Sequence, residues 1–427
     1  MTITSMNPMT FSNLGDLIPA KYDKKVRDDR RVREFWGKFA GPEGSQQPII
    51  EKMDLQKEAG DRIHMETISE LYKPGVSGET EQMGAEEKFQ INRFTVALEL
   101  YRHAVAVTYK GNSMAIIDSI NRAVPKLGRY FANKYDDLTF AEILDPANAS
   151  ERVLYAGTAT ADDELSSSTM MQPDCLDLVR LAAERNGMLP IKLINTKQDN
   201  MVEVFGMVMS PEDWYQLIRN SSFKASLQDT LPRGYDHPLV TGAKCMWNGT
   251  LIHTYRSINQ GCHQGSPLRP EVAVTSAVTT GDAAITVGSS LTGYDYTKNF
   301  PQSGNFGITV MADGTNATED LTVSCHANNY QFTIQGGTAA ADHLVGTRIV
   351  YQKHRATSIV FGAETVARAW GEKDVPIHQE IDYQMNKGVG IMSTLGVAVI
   401  EDSAGGIPNS LLLRTYAPLP NLTSIVL

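Results

Sequence analysis

Apolar and polar residues alternate at period two over 48–71 and again over 89–110, the period of half-buried strands. Between the two runs lies 73–88, a polar stretch rich in Gly and Glu. Two long strands around such a tip predict a protruding β-hairpin. A hairpin that leaves its own domain cannot bury both faces alone, so it calls for a second surface, most naturally another protein chain. Spacing of three and four takes over in 113–145, where Ile116, Ile117, Ile120, Val124, Leu127 and Phe131 predict a helix that Pro125 kinks or restarts. A second amphipathic helix is predicted over 174–186, ending at Gly187.

Beyond 190 the pattern is α/β. Residues 203–209 read as a buried strand, and Ser210, Pro211, Glu212 and Asp213 form a helix start with Trp214, Leu217 and Ile218 facing inward. Asn248-Gly249 predicts a two-residue hairpin turn. Over 268–345 the chain is dense in Thr, Ser, Gly, Ala and Asn and alternates in short runs, which predicts a small all-β module inserted into the host fold. A compact helix is predicted over 361–371 and a Val/Ile-rich strand over 389–400.

The opening differs from all of this. Residues 1–20 show no periodicity and read as an extended arm. The next stretch, 21–41, holds eight basic and four acidic side chains, with Val26, Val32, Phe35, Trp36 and Phe39 spaced for one helical face. It is either a solvated amphipathic helix or a basic arm that docks on an acidic neighbour.

Composition narrows the class. A length of 427 residues suggests two or three structural units. The net charge of −10 argues against a surface built to grip nucleic acid tightly. Four cysteines in so long a chain make no disulfide scaffold, and a reducing site of synthesis is expected. The start lacks a basic segment followed by an apolar core, and no run approaches the ~18 apolar residues of a membrane span, so a soluble chain without a secretory signal is expected.

Candidate chemistry is sparse. No phosphate loop, dinucleotide fingerprint, nucleophile elbow or zinc-protease helix occurs. Cys262-His263 with His253 comes nearest to a metal or thiol site, without a second close pair to complete four ligands. Asp162, Asp163 and Glu164 form a carboxylate cluster that reads as solvated surface or a weak divalent-cation site, and Met170-Met171 reads as core filling. No catalytic, cofactor-binding or metal-binding residue is assigned, and no enzyme is expected.

A set of short segments carries a resemblance. In order they are Phe35-Trp36-Gly37-Lys38-Phe39, the run from Asp54 through Ile63, Gly75-Val76-Ser77-Gly78, Gly84 to Glu87 and Arg102-His103-Ala104-Val105. Then come Pro238-Leu239-Val240-Thr241-Gly242-Ala243, Asn248-Gly249-Thr250-Leu251-Ile252-His253, Ala369-Trp370-Gly371 and Asp382-Tyr383. Over about 31–260 and 348–400 the chain resembles major capsid proteins of tailed phages with the HK97-like fold, and more closely those of N-four-type podophages. It departs from them at the helix broken by Pro125 and Gly128, and in the 268–345 module.

The resemblance implies an α+β, HK97-like phage capsid fold with a small all-β insertion. It implies an N-terminal arm at 1–50, an extended hairpin loop at 51–110 and a peripheral domain with a long helix at 111–187. An axial domain would hold 188–267, the insertion 268–345, and the second axial part with returning peripheral strands 346–427. It also implies self-assembly into pentamers and hexamers of an icosahedral shell around double-stranded DNA held by non-specific contact. Partners would be a portal, a separate scaffolding protein and a possible decoration protein, with no membrane, assembly in the host bacterial cytoplasm and residence in the virion capsid. Candidate contacts between subunits are Arg27, Arg30, Arg31 and Arg33 of the arm with Glu79, Glu81, Glu86 and Glu87 of the hairpin tip, because the arm has excess positive and the tip excess negative charge. An encapsulin-like compartment shell and a soluble enzyme using His253, Cys262 or the Asp162–Glu164 cluster are the alternatives.

Overall fold

The computed structural model describes residues 34–53, 60–68, 73, 75–78, 83, 86–87, 91–108, 119–145, 152–195, 200–230, 244–255, 267–287, 296–312, 317–326, 330–381, 386–401 and 409–418. The first sheet is built on the 14-residue strand Asn386–Val399. Glu99–Thr108 runs antiparallel along one side of it. Val375–Ile381 and then Val366–Trp370 run antiparallel along the other. Val366–Trp370 in turn pairs in parallel with Ile49–Lys52, which pairs in parallel with Ala40–Pro42. Distant parts of the chain thus close one sheet.

Helix α1, Ser119–Leu144, lies across this sheet. Its Leu127, Phe131 and Tyr135 pack on Trp370, Ile391 and Leu395. The helix runs unbroken through Pro125, which was expected to kink or restart it, and through Gly128. Pro125 forfeits one hydrogen bond to the carbonyl four residues back, and the aromatic stripe on the sheet holds the helix through that loss.

The region 361–371, expected to be a helix, instead holds the last residue of the strand Arg355–Phe361, a short turn and the strand Val366–Trp370. Every residue of both strands is buried. Covering on both faces outweighs the helical preference that the alanines of this segment carry.

The second sheet orders Val153–Tyr155, Ser410–Tyr416, Arg355–Phe361, Asn200–Met209, Thr250–Thr254 and Cys245–Trp247, with Ile191–Asn195 paired to the first half of Asn200–Met209. Helices α2 (Pro173–Arg185), α3 (Pro211–Arg219) and α4 (Ser221–Thr230) accompany it. Leu176, Val179, Leu217 and Phe223 from these helices pack on Met207 and Leu413. Gly187 takes φ 68° and its N–H bonds the Glu184 carbonyl, closing α2. Asn248 and Gly249, at φ 43° and 74°, turn the hairpin between Cys245–Trp247 and Thr250–Thr254.

At the start of α3 the Ser210 hydroxyl accepts from the Asp213 N–H at 3.2 Å. Leu217 faces inward, whereas Ile218, expected there, is exposed. Asp213 is fully buried and accepts from the hydroxyls of Thr415 (2.8 Å) and Ser210 (3.1 Å). Burial outweighs these bonds and pushes its carboxyl up to about 6. A raised acid binds its proton more tightly in the folded chain. Its favourable contribution is therefore complete below the ordinary aspartate range and is lost as pH rises through about 6. Asp213→Asn is expected to flatten that part of the stability–pH curve, and an unchanged slope between pH 4 and 7 in denaturant titrations would refute this.

The third sheet is antiparallel throughout, in the order Glu271–Ala273, Arg348–Tyr351, Phe306–Val310, Glu319–His326, Gln331–Ile334 and Ala284–Thr286. It closes on a core of its own that includes Ile285, Phe300, Ile308, Val323, Phe332 and Ile349. The remaining element is the hairpin, Arg62–Ile68 against Ile91–Ala97, registered from Arg62↔Ala97 to Ile68↔Ile91. The period-two alternation that marks it serves two partners, because Ile49–Lys52 and Glu99–Thr108 on its outer flanks join the first sheet. Among the described residues, no helix is long and apolar enough to cross a membrane.

Candidate functional site: the arm anchor and the hairpin root

Strand alternation gives Val366–Trp370 two working faces. Val366, Arg368 and Trp370 point toward α1 and the end of the arm. Ala367 and Ala369 point toward the hairpin, where Ile63, Met65 and Val96 are buried against them and against Ile50 and Ile400. At Gly396 of the central strand a Cβ would stand 2.2 Å from the Ala97 carbonyl oxygen and 2.7 Å from Val96 Cγ1. Only a hydrogen fits, so glycine lets the hairpin root lie directly on the sheet. A bond from the Leu98 N–H to the Asp61 carbonyl (2.8 Å) closes that root.

On the opposite face lies a 3₁₀ turn, Trp36–Phe39, the described part of the helix expected over 21–41; residues 21–33 lie outside the described residues. The rings of Phe35, Trp36 and Phe39 hold this turn in place, because they point into a cluster with Phe140 and Phe361. Asp136 of α1 accepts from the N–H groups of Phe35 (2.9 Å) and Trp36 (3.0 Å), satisfying donors at the start of the turn. Burial, reinforced by the charge of Glu34, holds the Asp136 carboxyl well above the usual carboxylate range.

Arg368 is the centre of this anchor and has no exposed surface. Its guanidinium donates to Glu34 and to the Thr139 hydroxyl (2.9 Å), and lies 3.6 Å from Glu51. Burial opposes its charge, but Glu34 and Glu51 outweigh that and raise its basicity further. Glu51 also accepts from Lys373 (3.2 Å) and the Trp370 indole (3.3 Å). Burial raises its carboxyl, yet the charges of Lys373 and Arg368 prevail and lower it. A carboxylate from the arm, one from a neighbouring strand and a hydroxyl from α1 thereby share one buried cation. Glu34, one of the four acidic side chains of 21–41, is buried and paired.

The other expected sites come out as follows. Arg27, Arg30, Arg31, Arg33, Glu79 and Glu81 lie outside the described residues, as do Cys262 and His263. Glu86 and Glu87 are brought together at the tip with Lys73, whose N–H donates to Glu87 (2.8 Å) and whose ammonium donates to the Glu86 carbonyl (3.3 Å). Asp162 is not solvated surface: Arg355 donates to one of its oxygens and Arg414 to the other (2.9 Å). Glu164 accepts from the N–H (2.7 Å) and hydroxyl (3.0 Å) of Thr160. His253 is buried beside the rings of Phe35 and Phe39. Among the described residues no group of three His, Cys, Asp or Glu side chains could hold a metal ion. Cys175, Cys245 and Cys325 are not joined in disulfides, and Met171 is buried in the core of the second sheet.

Sequence reading missed Arg368 and Asp136. Each had a signal: Arg368 interrupts an apolar run, Val-Ala-Arg-Ala-Trp, and Asp136 falls on the aromatic stripe of α1 between Phe131 and Phe140.

The whole arrangement matches known shells. The capsid of Ralstonia phage GP4 superposes with a TM-score of 0.60 at 16% identity, covering 91% of this chain and 92% of that one. The cyanophage Pam1 capsid gives 0.58 at 13% identity, covering 90% and 92%. The capsid of Helicobacter pylori bacteriophage KHP30 gives 0.56 at 14% identity, covering 90% of each chain. These likenesses, with few helices and many strands, make the fold α+β and HK97-like. A comparison with curated proteins found no match. A family model described as phage capsid protein matches residues 38–409, nearly the whole chain from the 3₁₀ turn to the last described strand, and the chain belongs to that family.

Proposed function

We propose that this chain is the major capsid protein of a tailed, double-stranded DNA phage, of the N-four-type podophage subfamily, and that its work is shell building rather than catalysis. The family match supports the capsid role. The hairpin carries the rest of the reading. Its root is buried in its own chain, while farther out Ile91 is 62% and Met83 90% exposed. Apolar side chains held clear of their own core find cover on a second copy of the chain.

In this reading 1–50 is the arm and 51–110 the extended loop that overlaps a neighbour. Residues 111–187 form the peripheral domain, 188–267 and 346–427 the axial domain with returning strands, and 268–345 an outward-facing insertion. Many copies close as pentamers and hexamers in the host cytoplasm, with a portal, a separate scaffolding protein and a decoration protein as partners. The acidic chain encloses DNA without gripping it.

Deleting 76–88 tests the loop assignment. The far-UV spectrum and melting of the subunit are expected to be retained while closed shells disappear from electron micrographs. Normal shells from the deletion would sink the assignment. The arm–tip contact is tested by charge exchange. Arg30→Glu with Arg31→Glu is expected to slow assembly, and adding Glu86→Lys with Glu87→Lys to restore it. Each exposed pair contributes only ~0–1 kcal/mol, but every subunit repeats it. Unchanged assembly of the first variant at low and high salt would remove the contact.

A further inference from the structure

We propose that a small oxyanion of the phosphate or sulfate class binds in a cationic cavity where the third sheet joins the second. The cavity holds about 180 Å³. That is below the ~300–1,000 Å³ of pockets for drug-sized ligands, and too small for a nucleotide. Arg269, Lys298, Arg355 and Arg414 line it, with Asp162 as the only carboxylate among the described residues of the lining.

The existing partners leave positive charge over. Arg355 and Arg414 divide the two oxygens of Asp162 between them. Lys298 reaches Asp145 outside the lining at 3.3 Å. Arg269 is 2% exposed, and neither of its terminal nitrogens has a hydrogen-bond partner. Its carboxylate neighbour, Glu212, stands 3.7 Å away, beyond hydrogen-bond reach. The Nε atoms of Arg355 and Arg414 are likewise buried without a partner. Burial, and next the charge of Arg414, weaken the basicity of Arg355 in spite of Asp162.

A guanidinium buried with idle N–H groups is costly, and a tetrahedral oxyanion supplies the acceptors its planar fork matches. The geometry also gives the anion a mechanical role. Arg269 and Lys298 sit on segments that lead into the third sheet, whereas Arg355 and Arg414 belong to the second. One bound anion ties the two together.

Calorimetric titration of phosphate into the full-length chain, with chloride adjusted to constant ionic strength, tests this. One saturable site per chain is expected, shared with sulfate. Arg269→Gln is expected to weaken it at least about tenfold. Arg93→Gln, which removes an exposed pair with Glu66 on the hairpin, is expected to leave it unchanged. Should Arg269→Gln not fold, Lys298→Gln takes its place with the same expected direction. The proposal is overturned if the wild-type chain shows no saturable binding, or if the variant tested binds with wild-type affinity. It is also overturned if a short DNA duplex displaces phosphate, which would assign the cavity to the polynucleotide backbone.

Discussion

Arg368→Met is expected to cost about 3–5 kcal/mol of stability and to free the arm from the fold. Methionine fills a similar volume, so the loss comes from charge. Glu34 and Glu51 would remain at 4% and 20% side-chain exposure without the cation between them. Glu34 can escape only by leaving with the arm, which pulls Phe35 and Trp36 from their ring cluster. Denaturant titration reads the stability, and limited proteolysis around 30–40 reads the release. Adding Glu34→Gln and Glu51→Gln is expected to recover most of the loss, because removing a whole buried ionic set is far gentler than halving it. A loss below about 1 kcal/mol in the single variant would mean that water reaches the site and the anchor is no anchor.

Gly396→Val is expected to unseat the hairpin. Even the Cβ alone would lie 2.2 Å from the Ala97 carbonyl oxygen, and backbone cannot swing aside as a flexible side chain can. Overpacking of this kind costs about 1–3 kcal/mol, and here the strain falls on one joint. Amide hydrogen exchange should therefore accelerate in Arg62–Ile68 and Ile91–Ala97 while Ser410–Tyr416 stays protected. Shell formation should fall with it. Uniformly raised exchange across the chain would show ordinary global destabilisation instead, and unchanged exchange would show that the root is free of the sheet.

Much of the fold was legible because its signals are local. The Ser210 cap, the Asn248-Gly249 turn, the Gly187 helix end and the stripe of α1 each depend on neighbours within a few positions. What failed was set by distant partners. Val366–Trp370 looks helical until Ile49–Lys52 and Asn386–Val399 lie on either side of it. The distant Asp136 likewise holds the N–H groups of Phe35 and Trp36, a partner that nothing near them in sequence announces. The anchor was hidden for the same reason, since nothing near Glu34 in sequence announces Arg368. The capsid character was legible from many weak segments in a fixed order, each unspecific alone.

The separation of Glu34 from Arg368, 334 positions, also sets a clock. Both strands of the hairpin emerge from the ribosome early, but the sheet that seats them lacks Val366–Trp370 and Asn386–Val399 until late. At ~5–20 residues per second, the roughly 300 intervening residues take about 15–60 s to synthesise. During that interval the hairpin root has no sheet to lie on. Growing chains on one message are therefore expected to stay out of forming shells, and only nearly finished copies to join. The order of synthesis thus delays the seating of the hairpin until the chain is nearly complete.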